Sequence, residues 1–154
     1  MESIRWGIIG AGSIADTVAG DFAFVPQAEL VAVASRDPER SRRLARKHGI
    51  PVIHRDYRAL IESDGVDVVH IATTHPHHRD IALAAISAGK AVLVEKAFTV
   101  TLAGTEEVVA AATKAGVFAM EAMWTRFLPA VEAAREVVAW GRIGQVLGVQ
   151  GDLC

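Results

Sequence analysis

The chain has 154 residues and a formal net charge of −2, which excludes the excess of lysine and arginine that nucleic acid or an anionic membrane surface would require. Hydrophobic residues make up 51% of the sequence, yet no apolar run approaches the ~18 residues of a membrane-spanning helix. The length suffices for one domain with a substantial core, and we expect neither a nucleic acid nor a membrane as partner.

The chain contains a single cysteine, Cys154, which is also its last residue. No disulfide can therefore form within the chain. Low cysteine usage is typical of reducing compartments, so we expect a cytoplasmic location.

Short apolar runs alternate with longer segments of helical spacing along the first 120 or so residues. Continuous apolar runs are typical of parallel strands that helices cover on both faces. The predicted strands are residues 4–9, 30–34, 52–54, 66–71, 91–94 and 117–120, and the predicted helices are residues 14–24, 38–48, 57–63, 76–88 and 101–115. With right-handed crossovers, this alternation predicts an α/β fold, a doubly wound parallel sheet of the Rossmann type with strand order 3-2-1-4-5-6.

The pattern changes near residue 122. Residues 128–140 predict a further helix that stops at Gly141, and residues 146–153 predict a strand. We therefore expect a dinucleotide-binding domain at residues 1–122, followed at residues 123–154 by a connecting helix and the first strand of a second domain that this chain does not complete.

A glycine-rich turn links the first predicted strand to the first predicted helix. It reads Gly10-Ala11-Gly12-Ser13-Ile14-Ala15, and each small residue has a steric reason. Gly10 permits the turn, Gly12 lets the backbone approach a pyrophosphate, and Ala15 lets the helix pack on the strand. The first helical N–H groups, including those of Ser13 and Ile14, then face the anion. The alternative is an ordinary strand-to-helix turn without a ligand.

The end of the second predicted strand bears on the choice between NAD and NADP. Enzymes that prefer NAD usually place a carboxylate there for the ribose hydroxyls, whereas this chain has Ser35 and Arg36, followed by Arg40. A guanidinium binds a 2′-phosphate through charge-assisted hydrogen bonds, so we expect NADP rather than NAD. Two alternatives stay open: the arginines belong to a solvated basic helix face, or Asp37 serves NAD.

Two opposite charges, Glu95 and Lys96, directly follow the fifth predicted strand, at the edge where open parallel sheets build their sites. A lysine beside the nicotinamide would hydrogen-bond a substrate hydroxyl during hydride transfer, while the glutamate orients it or contacts the cofactor. The alternative is a surface ion pair, which contributes little.

Three histidines follow the fourth predicted strand at the same edge of the sheet. Thr73 and His75 are expected to line the cofactor pocket, His78 to cap or pack at the helix start, and His77 to lie on the surface. Pro76 starts a helix there, so the imidazoles diverge and no metal site is expected.

These motifs resemble those of the Gfo/Idh/MocA family of oxidoreductases. The family pattern joins Gly-x-Gly-x-x-Ala, then Ala-Thr-x-x-x-x-His after strand four, then Ala-Gly-Lys-x-Val-x-x-Glu-Lys-Pro. Residues 72–78 and the segment 120–129 are similar to the branch whose members oxidise cyclic diols or sugars. The resemblance implies Lys96 as the catalytic lysine and cofactor contacts from Gly10, Gly12, Ser35, Arg36, Thr73, His75, Glu95, Trp124 and Arg126. Without it, Trp124 is equally a core residue and Arg126 a solvated charge.

Two departures from the family pattern affect what is expected. Ala97 stands where the family usually has proline, so we expect a trans peptide bond before it. We also expect the chain to lack the family's C-terminal substrate domain and therefore to bind NADP without turning over a sugar or diol. The resemblance also admits a non-catalytic NAD(P)-binding sensor, and it leaves a homodimer open.

Overall fold

The computed structural model describes residues 3–151. It divides into two compact units, Met1–Ala122 and Met123–Cys154. Among the described residues, strands occur only in the first unit.

The first unit is built on six parallel strands. They are β1 (Ile4–Ile9), β2 (Ala28–Ala34), β3 (Val52–His54), β4 (Val68–Ile71), β5 (Ala91–Val94) and β6 (Ala119–Glu121). Their order in the sheet is β3-β2-β1-β4-β5-β6, and every neighbouring pair is parallel. This order confirms the predicted doubly wound topology. The carboxyl ends of β1, β2, β4 and β5 consequently meet at one edge of the sheet.

Helices cover both faces of the sheet. They are α1 (Ser13–Asp21), α2 (Pro38–His48), α3 (Tyr57–Ile61), α4 (His78–Ser87) and α5 (Leu102–Ala115), and 3-10 turns occupy Phe22–Phe24 and His75–His77. One buried cluster joins β1 and β2 to α1 and α2, and a second joins the sheet to the other three helices. Neighbouring strand residues therefore alternate between clusters: Ile8 packs with the first and Ile9 with the second.

Local chemistry sets both ends of α2 and the last residue of α5. The Asp37 carboxylate accepts hydrogen bonds from the N–H groups of Glu39 and Arg40 and so caps α2. Gly49 and Gly116 end α2 and α5 in the left-handed conformation.

Lys90, just before β5, has a structural role at the edge of the sheet opposite the strand carboxyl ends. Its ammonium donates to the carbonyl oxygens of Ser63 at 2.9 Å and of Val66 at 2.8 Å. These bonds fix the start of β5 to the loop that enters β4.

The second unit contains a 3-10 turn at Trp124–Phe127 and the helix α6 (Pro129–Ala139). The predicted strand at 146–153 is wrong for its described part, because residues 146–151 adopt no strand; residues 152–154 lie outside the described residues. A strand requires hydrogen bonds to a neighbour, and the described part of this unit has no second strand to supply them.

Candidate dinucleotide-binding site

The glycine turn shows two different reasons for glycine. Gly10 has a φ of +114°, and a Cβ there would lie 2.3 Å from the carbonyl oxygen of Ala72, so the fold itself requires glycine. Gly12 has an ordinary extended φ of −91°. A Cβ on Gly12 would meet no atom within 4 Å. The protein's own packing therefore does not explain Gly12, whereas a ligand lying against the backbone would.

The start of α1 fits an anion. Gly12 is the N-cap residue, and no side chain caps the helix. The first-turn N–H groups of a helix have no intrahelical partner, and the helix dipole favours negative charge there. Ser13 and Ile14 are exposed, while Ala15 is completely buried against the sheet. The turn therefore fits the pyrophosphate of a dinucleotide.

A cavity of about 430 Å³ lies beside this turn. Its lining comes from the turn with α1 and from α2: Ala11, Gly12, Ser13, Asp16, Arg40, Arg43, Leu44 and Lys47. The structure thus brings the predicted residue Arg40 together with Gly12 and Ser13. Sequence reasoning missed Arg43 and Lys47, although their spacing of three and four residues along α2 places them on the face of Arg40.

One carboxylate, Asp16, lies among these cations. Its oxygens accept hydrogen bonds from Lys47 at 2.6 Å and lie 2.7 Å from Nε2 of His48. These two contacts, Lys47 first, lower the pKa of Asp16. Asp16 thereby holds Lys47 at the wall of the cavity.

The loop between β2 and α2 assigns different roles to the predicted residues Ser35 and Arg36. The Ser35 hydroxyl donates to the carbonyl oxygen of Asp37 at 2.7 Å and lies 2.9 Å from Oγ of Ser41, so it organises the loop. Arg36 is exposed and does not line the cavity. The Asp37 carboxylate is engaged by the α2 cap and by Nε of Arg40 at 3.2 Å.

A second group of side chains lies at the carboxyl ends of β4 and β5. Glu95 is only 7% exposed, and one of its oxygens lies 3.1 Å from Nε2 of the fully buried His70. Burial raises the pKa of the Glu95 carboxyl, but hydrogen bonds from His70 and from the Lys96 N–H help to bring it below its ordinary value. Glu95 is therefore a buried carboxylate. His70 was missed, although a histidine inside an apolar strand signals a polar role.

The predicted residues Thr73, His75 and Lys96 come together at this edge. Nε2 of His75 lies 3.0 Å from the carbonyl oxygen of Lys96. His78 is buried, with Nδ1 2.9 Å from the carbonyl oxygen of Ala97 and Nε2 3.1 Å from that of Thr73. The Lys96 side chain is exposed.

The expected trans peptide before Ala97 is wrong: the Lys96–Ala97 bond is cis. Two histidine rings contact the backbone of this loop: His75 contacts the carbonyl oxygen of Lys96, and His78 contacts that of Ala97. The loop geometry is thus set by tertiary contacts as well as by residue type.

Two predicted residues belong to the second unit. Trp124 and Arg126 both lie in its 3-10 turn, and their contact with cofactor stays a prediction. Among residues 3–151, no group of three histidine, cysteine or carboxylate side chains is arranged to hold a metal ion. Within the same residues, no helix is both long and apolar enough to cross a membrane.

The strand order, the Gly10–Gly12 turn and the anion-accepting start of α1 together define a dinucleotide-binding Rossmann domain. Residues 4–123 match the family described as "Oxidoreductase family, NAD-binding Rossmann fold", designated GFO_IDH_MocA. The chain belongs to this family, as the motifs predict.

Relatives of known name support the same assignment. A trans-1,2-dihydrobenzene-1,2-diol dehydrogenase from Bos taurus is 43% identical over 152 residues, covering 97% of this chain and 45% of that protein. The Mus musculus protein of the same name is 44% identical over 146 residues, with coverages of 94% and 44%. The chain spans about half the length of the curated relatives it matches.

Solved structures show the same fold. An NAD binding oxidoreductase from Klebsiella pneumoniae aligns with a TM-score of 0.81 at 33% identity, over 92% of this chain and 40% of that one. KijD10, a 3-ketoreductase from Actinomadura kijaniata in complex with NADP and TDP-benzene, aligns with a TM-score of 0.84 at 30% identity, over 91% and 43% of the two chains.

Proposed function

We propose that this chain is the NADP-binding half of a dehydrogenase that oxidises a CH–OH group of a cyclic diol or sugar. One observation carries the proposal: the cavity that joins the Gly12 turn to Arg40, Arg43 and Lys47. A dinucleotide with an additional phosphate matches this combination, because the turn accepts one anion and the α2 cations accept another.

The contacts of α2 favour NADP over NAD. A carboxylate that binds ribose hydroxyls must have free oxygens, and those of Asp37 already serve the helix cap and Arg40. Arg40, with Arg43 and Lys47 on the same helix face, would bind the 2′-phosphate. The KijD10 complex, whose protein is 30% identical, contains NADP.

The groups after β5 would carry the chemistry. The bound nicotinamide supplies the hydride acceptor. Lys96 would donate a hydrogen bond to the substrate hydroxyl and stabilise the charge that develops on its oxygen, while a base supplied by the substrate pocket would accept the hydroxyl proton. Glu95 would keep a fixed negative charge beside this lysine, since its pKa is lowered in the folded chain. The reaction itself requires a substrate pocket, which we propose is formed with the part of the protein corresponding to the second half of the relatives.

The cofactor proposal is tested by titrating the chain with NADPH and NADH and following nicotinamide fluorescence. We expect tighter binding of NADPH, and Arg40→Ala should weaken NADPH binding by about tenfold while leaving NADH nearly unchanged. Arg46→Ala is the matched control, because Arg46 lies on α2 but lines a different cavity. Tighter NADH binding by the wild type, or equal losses in both variants, would overturn the proposal.

A further inference from the structure

His78, the first residue of α4, is completely buried and has no part in the proposed chemistry. Both of its ring nitrogens face backbone carbonyl oxygens: Nδ1 lies 2.9 Å from that of Ala97, and Nε2 lies 3.1 Å from that of Thr73. Thr73 follows β4 and Ala97 follows β5. One ring therefore spans the two loops that carry the proposed cofactor contact and the proposed catalytic lysine.

The chemistry of imidazole limits what these contacts can be. A carbonyl oxygen only accepts hydrogen bonds, and a neutral imidazole has one N–H donor and one nitrogen lone pair. A neutral ring would satisfy one carbonyl and set its lone pair against the other. Both contacts are hydrogen bonds only when both ring nitrogens carry protons.

The surroundings contain a matching negative charge. Glu95 is buried at the end of β5. Burial raises the pKa of the Glu95 carboxyl, whereas the hydrogen bond from His70 and, as a smaller effect, a positive charge on His78 lower it. His75 packs edge-on, its ring centroid 5.5 Å from that of His78. On the same helix, Arg79 and Asp80 pair with each other. The start of α4 and the complete burial of the ring both disfavour a cation, so the two carbonyl groups and Glu95 must outweigh the helix dipole and the cost of desolvation.

We propose that His78 is a positioning residue that braces the two loops as a doubly donating imidazolium. The brace completes a set: His70 contacts the side chain of Glu95, His75 the carbonyl of Lys96, and His78 the carbonyl of Ala97. Three consecutive residues are thus each attached to the β4–α4 segment by a different histidine. Loss of the His78 proton breaks one of the two carbonyl bonds and loosens Lys96 relative to Thr73. Only the effect on cofactor binding rests on the proposed function.

The protonation state is measured first, on the wild-type chain labelled with ¹⁵N. Ring ¹⁵N–¹H correlation spectra should show both nitrogens of His78 protonated at neutral pH, and the His78→Asn variant identifies the signals. Only one protonated nitrogen on His78 in the folded chain at neutral pH would overturn the proposal.

The consequence is measured as the pH profile of NADPH affinity. Wild-type affinity should fall about fivefold as the pH rises through the deprotonation of His78. His78→Asn keeps a donor near the Nδ1 position, so it should bind NADPH about fivefold more weakly at neutral pH and lose the alkaline fall. His77→Asn, the matched control, should keep the wild-type profile. A wild-type profile in His78→Asn overturns the proposal. If the wild type binds no NADPH but His78 is doubly protonated, the proposed function fails and the brace stands.

Discussion

Replacing Gly12 with alanine separates binding from folding. The new methyl meets no protein atom within 4 Å, and the φ of −91° suits alanine. Such a substitution stabilises a protein by about 0.4–1 kcal/mol, because it restricts the unfolded chain. Gly12 is also the N-cap of α1, where alanine is less favourable than glycine, so the two effects offset each other and the free energy of unfolding should change by no more than about 1 kcal/mol in either direction. The methyl would occupy the approach to the pyrophosphate, and we expect NADPH affinity to fall at least about tenfold, or about 1.4 kcal/mol.

Gly10→Ala is the matched variant two residues away, and it should behave in the opposite way. Its Cβ would lie 2.3 Å from the Ala72 carbonyl oxygen, and its φ is +114°. The left-handed backbone costs about 1–2 kcal/mol. Overpacking costs about 1–3 kcal/mol more. We therefore expect a loss of about 2–5 kcal/mol of folding stability.

Urea unfolding followed by circular dichroism measures stability, and NADPH fluorescence titration measures affinity. The reasoning is refuted if Gly12→Ala binds NADPH as the wild type does, since Gly12 would then be an ordinary turn residue. Wild-type stability of Gly10→Ala would contradict the described contact between β1 and β4.

Two further predictions concern the group after β5. The pKa of the Glu95 carboxyl is lower in the folded chain than its ordinary value of 4.5. Ionised Glu95 therefore stabilises the fold at pH values above 4.5, and this stabilisation is lost as the pH falls through the lower pKa of the folded chain. His70→Phe removes the hydrogen bond and leaves burial, which raises the pKa of Glu95. Acid unfolding, followed by circular dichroism, should therefore begin at a higher pH in this variant than in the wild type or in the control His77→Phe. Identical unfolding midpoints would contradict this. In a chimera of residues 1–122 with the remaining part of the bovine relative, Lys96→Met should leave NADPH affinity within about twofold and reduce diol oxidation at least about a thousandfold. Activity that survives the change would favour a role for this chain in binding alone.

Most of the fold could be predicted because its signals are local. Buried strands appear as short apolar runs. Asp37 caps the start of α2, and Gly49 and Gly116 end α2 and α5, through their own side-chain and backbone preferences. The strand order follows from the alternation of strands and helices together with crossover handedness. The predicted strand after residue 145 failed because pairing depends on a partner that no local pattern supplies.

The site was predicted less completely, since it depends on the directions of side chains. Arg36 and Arg40 looked equivalent in the sequence, but only Arg40 lies on the face of α2 that lines the cavity, with Arg43. His70 and Glu95 are 25 residues apart, and only the pairing of β4 with β5 brings them into contact. The alternative interpretation treated the basic face of α2 as simply solvated. Part of that face, namely Arg40, Arg43 and Lys47, lines the cavity.

The segment Gly89–Lys96, which matches the Gly-Lys-x-Val-x-x-Glu-Lys part of the family pattern, places its two lysines at opposite edges of the sheet because β5 separates them. Lys90 is fixed to carbonyl oxygens at one edge of the sheet, and Lys96 stands at the other, six residues or about 20 Å along the strand. A motif that reads as one unit in the sequence thus spans the full depth of the sheet. Variation at Lys90 would be recorded as poor expression or thermal lability, whereas the catalytic role proposed for Lys96 predicts that variation there would be recorded as lost turnover. Surveys that score such a motif as a single catalytic element would therefore mix two kinds of defect.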